Sequence, residues 1–394
     1  MFHKIVRIGL VAFVVLGLVA GCGPAATPTS AVPTQTPRVI EGLVTPTPEP
    51  KPAPGSIALN GAGATFPWPI YTEWIFAYQY VDPSVTINYQ GIGSGGGIKA
   101  IKDGTVDFAG SDSLLKEEDY AEKPDLQMLP ILAGAVVPIY NLIGKDGEPI
   151  QDLILDIPTL VDIYMAKVTK WNDPKIAALN PDLRDKLPDA IITAVHRSDG
   201  SGTTEIFTTA LAGVSDEWEN SVGAGKAVEW PVDKAGNGIG GKGNPGVAAA
   251  VQNTPNSIGY VELSYAVSNN IPFAKMVNAA GNVVVANAET LQSAMSDFGT
   301  AFDERLTIKS ISNGQGPYSW PICGYTYLII TMEQSDCAKA KALLNYIRWS
   351  LTDPGAAKRA ADLGYATIPE AVRDLVLSKL QEVKCNGQPV LSSE

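Results

Sequence analysis

The chain has 394 residues, enough for more than one core, and 41 acidic against 29 basic side chains leave it at −12. That balance argues against nucleic acid as a partner and means that any site for an anion has to be built locally, against the overall field. The four cysteines and two histidines show no spacing that suggests zinc, so no metal or other cofactor is expected.

Lys4 and Arg7 precede an apolar run from Ile8 to Ala20, and small residues lead into Cys22. The run is too short to cross a bilayer comfortably and reads as an export signal over residues 1–21. Val19-Ala20-Gly21-Cys22 resembles a bacterial lipobox, so the expectation is cleavage before Cys22 and lipidation of its thiol. The protein would then be extracytoplasmic and lipid-anchored to the cell membrane, lying on it without spanning it. Loss of Lys4 and Arg7 takes the net charge from −12 to −14. Residues 22–55 are rich in Pro and Thr and poor in apolar side chains, which suits an extended tether and cannot supply a core. With Cys22 set aside, Cys323, Cys337 and Cys385 leave three pairings open outside the cytoplasm. Cys337–Cys385, which would tie the C-terminal tail to the start of a helix, is the one expected.

From Ser56 onward the chain alternates strand, loop and helix. Ile57 to Leu59 is a short strand, and a helix follows with Ile70, Trp74, Ala77 and Tyr78 near helical spacing. Val85 to Tyr89 and Val106 to Ala109 read as strands, with a short helix over Ile98 to Asp103 between them. Ala133 to Leu142 is a strongly apolar strand, long enough to leave one lobe and enter another. Two or three helices follow in residues 150–190, then a buried-type strand at Ala190 to Val195 and a helix at Glu205 to Ala212. Ser257 to Tyr265 and Tyr325 to Thr331 read as strands, and Ala338 to Ser350 as an amphipathic helix. The pattern predicts an α/β fold with parallel or mixed sheets flanked by helices, in which ligands bind where strands end and helices begin.

His196-Arg197-Ser198-Asp199-Gly200-Ser201-Gly202-Thr203 lies at such a junction. As a serine hydrolase it is deficient: Asp199 stands where the first glycine of a GxSxG elbow belongs, Arg197 adjoins the histidine, and no other histidine can substitute. As an anion cradle it fits better. Gly202 and Thr203 open a helix whose N–H groups are unpaired, Ser201 and Thr203 add hydroxyls, Arg197 offers a planar donor, and Asp199 can hold that guanidinium in place. An extracellular hydrolase using the same cradle, or a surface sensor or adhesin, are the competing readings.

Two glycine-rich stretches invite cofactor readings. Gly91, Gly93 and Gly96 match a dinucleotide fingerprint, with Asp112 available as its acid, but a second anion-contacting turn with Ser94 as donor suits an exported protein better. Gly236 to Gly243 nearly matches a phosphate loop but has Gly243 where a hydroxyl is needed, and it reads as a flexible loop. Asp112, closing Val106-Asp107-Phe108-Ala109-Gly110-Ser111, would repel a fully ionised anion yet accept a hydrogen bond from a protonated one.

Taken together, the blocks GAGATFPWPIY (61–71), INYQGIGSGGG (87–97), VDFAGSD (106–112), RSDGSGTTEIFT (197–208), GGKGNPGVAAAVQ (240–252) and IGYVE (258–262) resemble the phosphate-binding proteins of bacterial phosphate ABC importers. They run in order across nearly the whole body. The resemblance implies a two-lobed periplasmic-binding-protein fold (type II), with one lobe from 56–138 and 320–394 and the other from 139–319. It places phosphate contacts at Thr65, Phe66, Ser94, Asp112, Arg197, Ser201, Gly202 and Thr203. It further implies a monomer that delivers inorganic phosphate to membrane permease subunits and has no catalytic residue. Gly95 departs from the pattern, which often has a second serine there, and His196 is expected to make no ligand contact.

Overall fold

The computed structural model describes residues 56–299 and 301–391. The expected signal, Cys22 and the tether lie outside the described residues.

The first part of the chain builds three parallel strands: β1 (Ile57–Gly63), β2 (Val85–Gly91) and β3 (Phe108–Ser111), with β1 between the other two. Between β1 and β2 runs α1 (Trp68–Tyr78), which buries Ile70, Tyr71, Trp74 and Tyr78. Between β2 and β3 runs α2 (Ser94–Lys102), which buries Ile98 and Ile101. Predicted only from Ile98, this helix begins four residues earlier, so Ser94 sits in its first turn.

β4 (Leu126–Asn141) is a 16-residue strand, buried along almost its whole length. A near-continuous apolar run is what a strand covered on both faces requires. It contains two prolines, which central strands normally exclude because proline donates no ladder hydrogen bond. Pro130 lies beside a shift of register against Tyr327, and the Pro138 carbonyl still accepts from the Ala274 N–H. Up to Ala135, β4 pairs antiparallel with the return strand, and from Val136 onward it pairs antiparallel with Ser257–Glu262.

The main sheet is completed by β5 (Thr193–Arg197), β6 (Gly238–Gly241), β7 (Ser257–Glu262), β8 (Cys323–Thr331) and one two-residue strand, and other short strands form two small three-stranded sheets. The main sheet has the order β2-β1-β3-β8-β4-β7-β5-β6, with Ala366–Thr367 also pairing on β4. Helices α3 (Gly202–Ala212) and α4 (Gly243–Asn253) follow β5 and β6 directly. The fold is thus α/β with a mixed sheet, as expected.

Two expectations are corrected. The stretch read as a flexible loop at 236–243 contains β6, paired parallel with β5, and runs into the start of α4. The strand read through to Tyr265 stops at Glu262, whose carboxylate accepts from the Ser264 N–H and begins the helix Leu263–Ser268.

Distant segments close on one another through large side chains. In the first half, the Trp74 indole donates to the Ala356 carbonyl at 2.9 Å, and Tyr78 packs edge-on against Tyr346 of α5 (Cys337–Thr352). In the second, Phe207 of α3 stacks on Tyr260 of β7 at 4.3 Å between centroids. Cys337 and Cys385 form a disulfide with sulfurs 2.01 Å apart, tying the start of α5 to the C-terminal hairpin, while Cys323 is a buried thiol. Among the described residues no helix is long and apolar enough to cross a membrane.

Candidate functional site

The carboxyl ends of β1, β2, β3, β5 and β6 all lead into loops that meet at one place, where backbone N–H groups point out of the helices that follow. Gly93 makes the turn before α2 possible: its φ of +81° is left-handed, and a side chain there would strike Asp199. Ser94 then presents its hydroxyl, which lies 3.2 Å from the Gly202 N–H at the start of α3 and donates to Asp112 Oδ2 at 3.3 Å. The loops approach closely enough for the Gly95 N–H to donate to the Gly200 carbonyl at 3.0 Å.

Asp112 follows β3 and is almost fully buried. Its second oxygen accepts from the Thr326 hydroxyl on β8 at 2.8 Å. Burial pushes its ionisation up to about 7, against the pull of Thr326, the Arg197 charge and Ser94. The acid is therefore poised to hold or release a proton near neutral pH.

Arg197 ends β5 with its side chain only 1% exposed. Asp199 grips it in two parallel hydrogen bonds, Nε to Oδ1 at 2.8 Å and one terminal nitrogen to Oδ2 at 2.6 Å. The other terminal nitrogen reaches the Thr203 hydroxyl at 3.4 Å. Burial favours the neutral form of Asp199, but the guanidinium and the Gly243 N–H outweigh it and hold its carboxyl below the usual range.

Thr203 and Thr65 are joined by Asn244, whose amide nitrogen donates to both hydroxyls at 3.1 Å. The Asn244 N–H also donates to Thr65 Oγ1, and its side-chain oxygen accepts from the Glu262 N–H. The fold thus brings two hydrogen-bonded groups, Ser94 with Asp112 and Gly202, and Thr65 with Thr203, Arg197 and Asp199, to one place, where Gly202 and Thr203 open α3. Ser201 is fully buried beside them, and its hydroxyl caps α3 by accepting from the Thr204 N–H. Phe66 follows Thr65 in the same loop, with its ring buried in the core edge-on to Tyr365.

His196 points elsewhere. Its Nε2 lies 2.8 Å from Asp233, its Nδ1 lies 3.0 Å from the Arg197 carbonyl, and its ring stacks on Trp230. It is not within reach of Ser201 as a base.

Sequence reasoning missed Thr326, Asn244 and Glu262. Asn244 lay in a block already quoted, where an amide opening a helix after glycines was a signal. Thr326 carried none, being one hydroxyl in an aromatic and aliphatic strand.

The chain matches the PBP superfamily domain over residues 33–354. It is 41% identical over 325 residues to the phosphate-binding protein PstS of Xylella fastidiosa strain 9a5c, covering 82% of this chain and 85% of that protein. It is 37% identical over 350 residues to the phosphate-binding protein PstS of Methanocaldococcus jannaschii, covering 86% and 89%. A high-affinity periplasmic phosphate-binding protein, PfluDING, solved bound with phosphate at pH 8.5, shares the fold at 19% identity and a TM-score of 0.64, over 82% of this chain and 93% of that one. On identity and coverage together, the chain belongs to the PBP superfamily and, within it, to the PstS phosphate-binding proteins.

Proposed function

We propose that the protein binds inorganic phosphate reversibly outside the cytoplasm and delivers it to the membrane subunits of an ABC-type importer. The observation that carries this reading is the pairing of one buried guanidinium, Arg197, with one buried, near-neutral acid, Asp112, at a junction of helix N-termini. The N–H groups, hydroxyls and guanidinium supply donors for a tetrahedral oxyanion in place of its water shell. Once ionised, as it is above about pH 7, Asp112 accepts a hydrogen bond from the proton that phosphate still carries. Sulfate carries none there and would meet the carboxylate oxygen to oxygen.

In this reading Thr65, Phe66, Ser94, Asp112, Arg197, Ser201, Gly202 and Thr203 contact the anion, and Asp199 positions Arg197. Two lobes, 56–138 with 320–394 and 139–319, close over the ligand, and the switch of β4 from β8 to β7 supports a crossing near Ala135. The protein acts as a monomer, anchored by a lipid on Cys22, and catalyses no reaction. The engagement of His196 with Asp233 argues against the hydrolase alternative.

Isothermal titration of the wild type with phosphate and with sulfate tests the assignment. Tight phosphate binding with sulfate excluded is expected, and equal affinity for the two anions would sink it.

A further inference from the structure

Glu262 ends β7 with no solvent exposure. Its Oε2 meets the Ser264 hydroxyl, the Ser264 N–H at 3.0 Å and the Tyr365 hydroxyl at 2.8 Å, and its Oε1 is buried without a partner. The same Tyr365 hydroxyl lies 2.7 Å from the Phe66 carbonyl. None of these partners is a cation.

Counting protons decides the state of this chain of contacts. The Phe66 carbonyl can only accept, and a tyrosine hydroxyl has one proton to give. If Glu262 were ionised it too could only accept, so either the contact at 2.7 Å or that at 2.8 Å would place two acceptors together with no hydrogen between them. Half of its charge would also rest on the unpartnered Oε1. A protonated Glu262 removes both faults. Its O–H donates to Tyr365, Tyr365 donates to the Phe66 carbonyl, and Ser264 donates to Glu262.

The titratable and charged groups around it agree. Tyr365 and Tyr265 face it from the two neighbouring segments, and Asp112 adds a like charge that disfavours ionisation. Arg197 faces Tyr265 and is committed to Asp199. Burial foremost raises the ionisation of Glu262 to about 8, with the Ser264 and Tyr365 contacts pulling the other way.

We propose that Glu262, as a neutral carboxylic acid, is a positioning residue of the anion site: through Tyr365 it holds the Thr65–Phe66 loop in place. The loop is gripped at two adjacent carbonyls, since Tyr265 donates to that of Thr65. Ionising Glu262 draws the Tyr365 proton to itself and releases Phe66. Its effect on affinity rests on the phosphate-binding reading, whereas its protonation state does not.

Two measurements test it. Infrared spectra of wild type and E262Q near neutral pH should differ by one carboxylic-acid C=O band, lost in the variant; two superimposable spectra in that region would overturn the proposal. Phosphate titrations from about pH 7 to about pH 9 should show wild-type affinity falling several-fold more steeply than that of E262Q, whose amide keeps a neutral donor. E262A should bind roughly tenfold more weakly throughout. Parallel wild-type and E262Q profiles would refute the proton-linked hold. Should E262Q fail to fold, carbon-13 titration of glutamate-labelled wild type serves instead: one side-chain carboxyl titrating near 8 supports the proposal, and none doing so overturns it. A wild type that binds sulfate as well as phosphate defeats the functional reading alone and leaves the infrared result to decide this one.

Discussion

The Thr326 hydroxyl donates to Asp112 at 2.8 Å across 214 residues of sequence. The acid of the site is therefore held from behind by the return strand β8 and from the front by Ser94. Both donors favour its charged form, yet burial outweighs them. The result is a carboxyl that changes state in the range where phosphate itself does.

That balance makes stability depend on pH. The ordinary carboxylate range lies near 4, so between there and about 7 folded Asp112 keeps a proton that the unfolded chain has released. Its contribution is full below the unfolded value and is lost as pH rises through the folded one. Glu262 acts with the same sign up to about 8. Ligand-free wild type should lose about 1.4 kcal/mol per pH unit for each group over its own window. D112N should remove one share between about pH 4 and 7, read as a shallower decline of Tm with pH. An unaltered decline would mean that Asp112 is ionised throughout.

Asp199 sets the plane of Arg197 through two hydrogen bonds. D199N removes the charge and one acceptor, leaving a buried cation free to turn. Phosphate affinity should fall about 10- to 100-fold, the value of charged hydrogen bonds at about 1.5–3 kcal/mol. R197K should do no better, because an ammonium cannot reproduce the planar fork. Titration calorimetry checks both, and R197K with wild-type affinity would remove the guanidinium from the argument.

Gly202 is where a small addition should matter most. A Cβ there would lie 2.5 Å from the Asp112 Cβ and 2.7 Å from Ser94 Oγ, forcing the loops apart. No left-handed φ demands glycine at this first turn of α3. G202A should therefore lower stability by about 1–3 kcal/mol, the usual cost of overpacking, while phosphate affinity drops at least about tenfold. A variant that keeps wild-type affinity would reverse the assignment.

The Cys337–Cys385 bridge closes a loop with a sequence separation of 48. Loop-closure entropy assigns such a bridge about 4 kcal/mol at most. The C337S/C385S double variant should melt lower by an amount within that bound, read by calorimetry. Burial pushes the Cys323 thiol up, so a thiol reagent should label it only on unfolding.

Much of the site was legible because its chemistry sits at strand ends in short polar runs. Arg197, Asp199 and the hydroxyls of 201 and 203 stand together in the chain, and glycines mark the turns that let backbone approach backbone. What was not legible has physical reasons. The apolar run SIGYVELSY continues past the end of β7, and only the capping contact of Glu262 with Ser264 turns it into a helix. The glycines of 236–243 suggested mobility, but parallel pairing with β5 orders them. Thr326 and Tyr365 offered no signal, since a hydroxyl on a buried strand or before a short one has many ordinary uses.

By itself the sequence determined the local choices: the alternation of strands and helices, the turns, the caps and the kinds of donor present. Periodicity and backbone preference act over a few residues and can be read there. Only the tertiary structure decided which donors oppose which acceptors, and so which acids keep their protons. Asp112 depends on a strand 214 residues away, and Phe66 on a tyrosine 299 residues away. Burial and proton counting are properties of such neighbours, which no local pattern specifies.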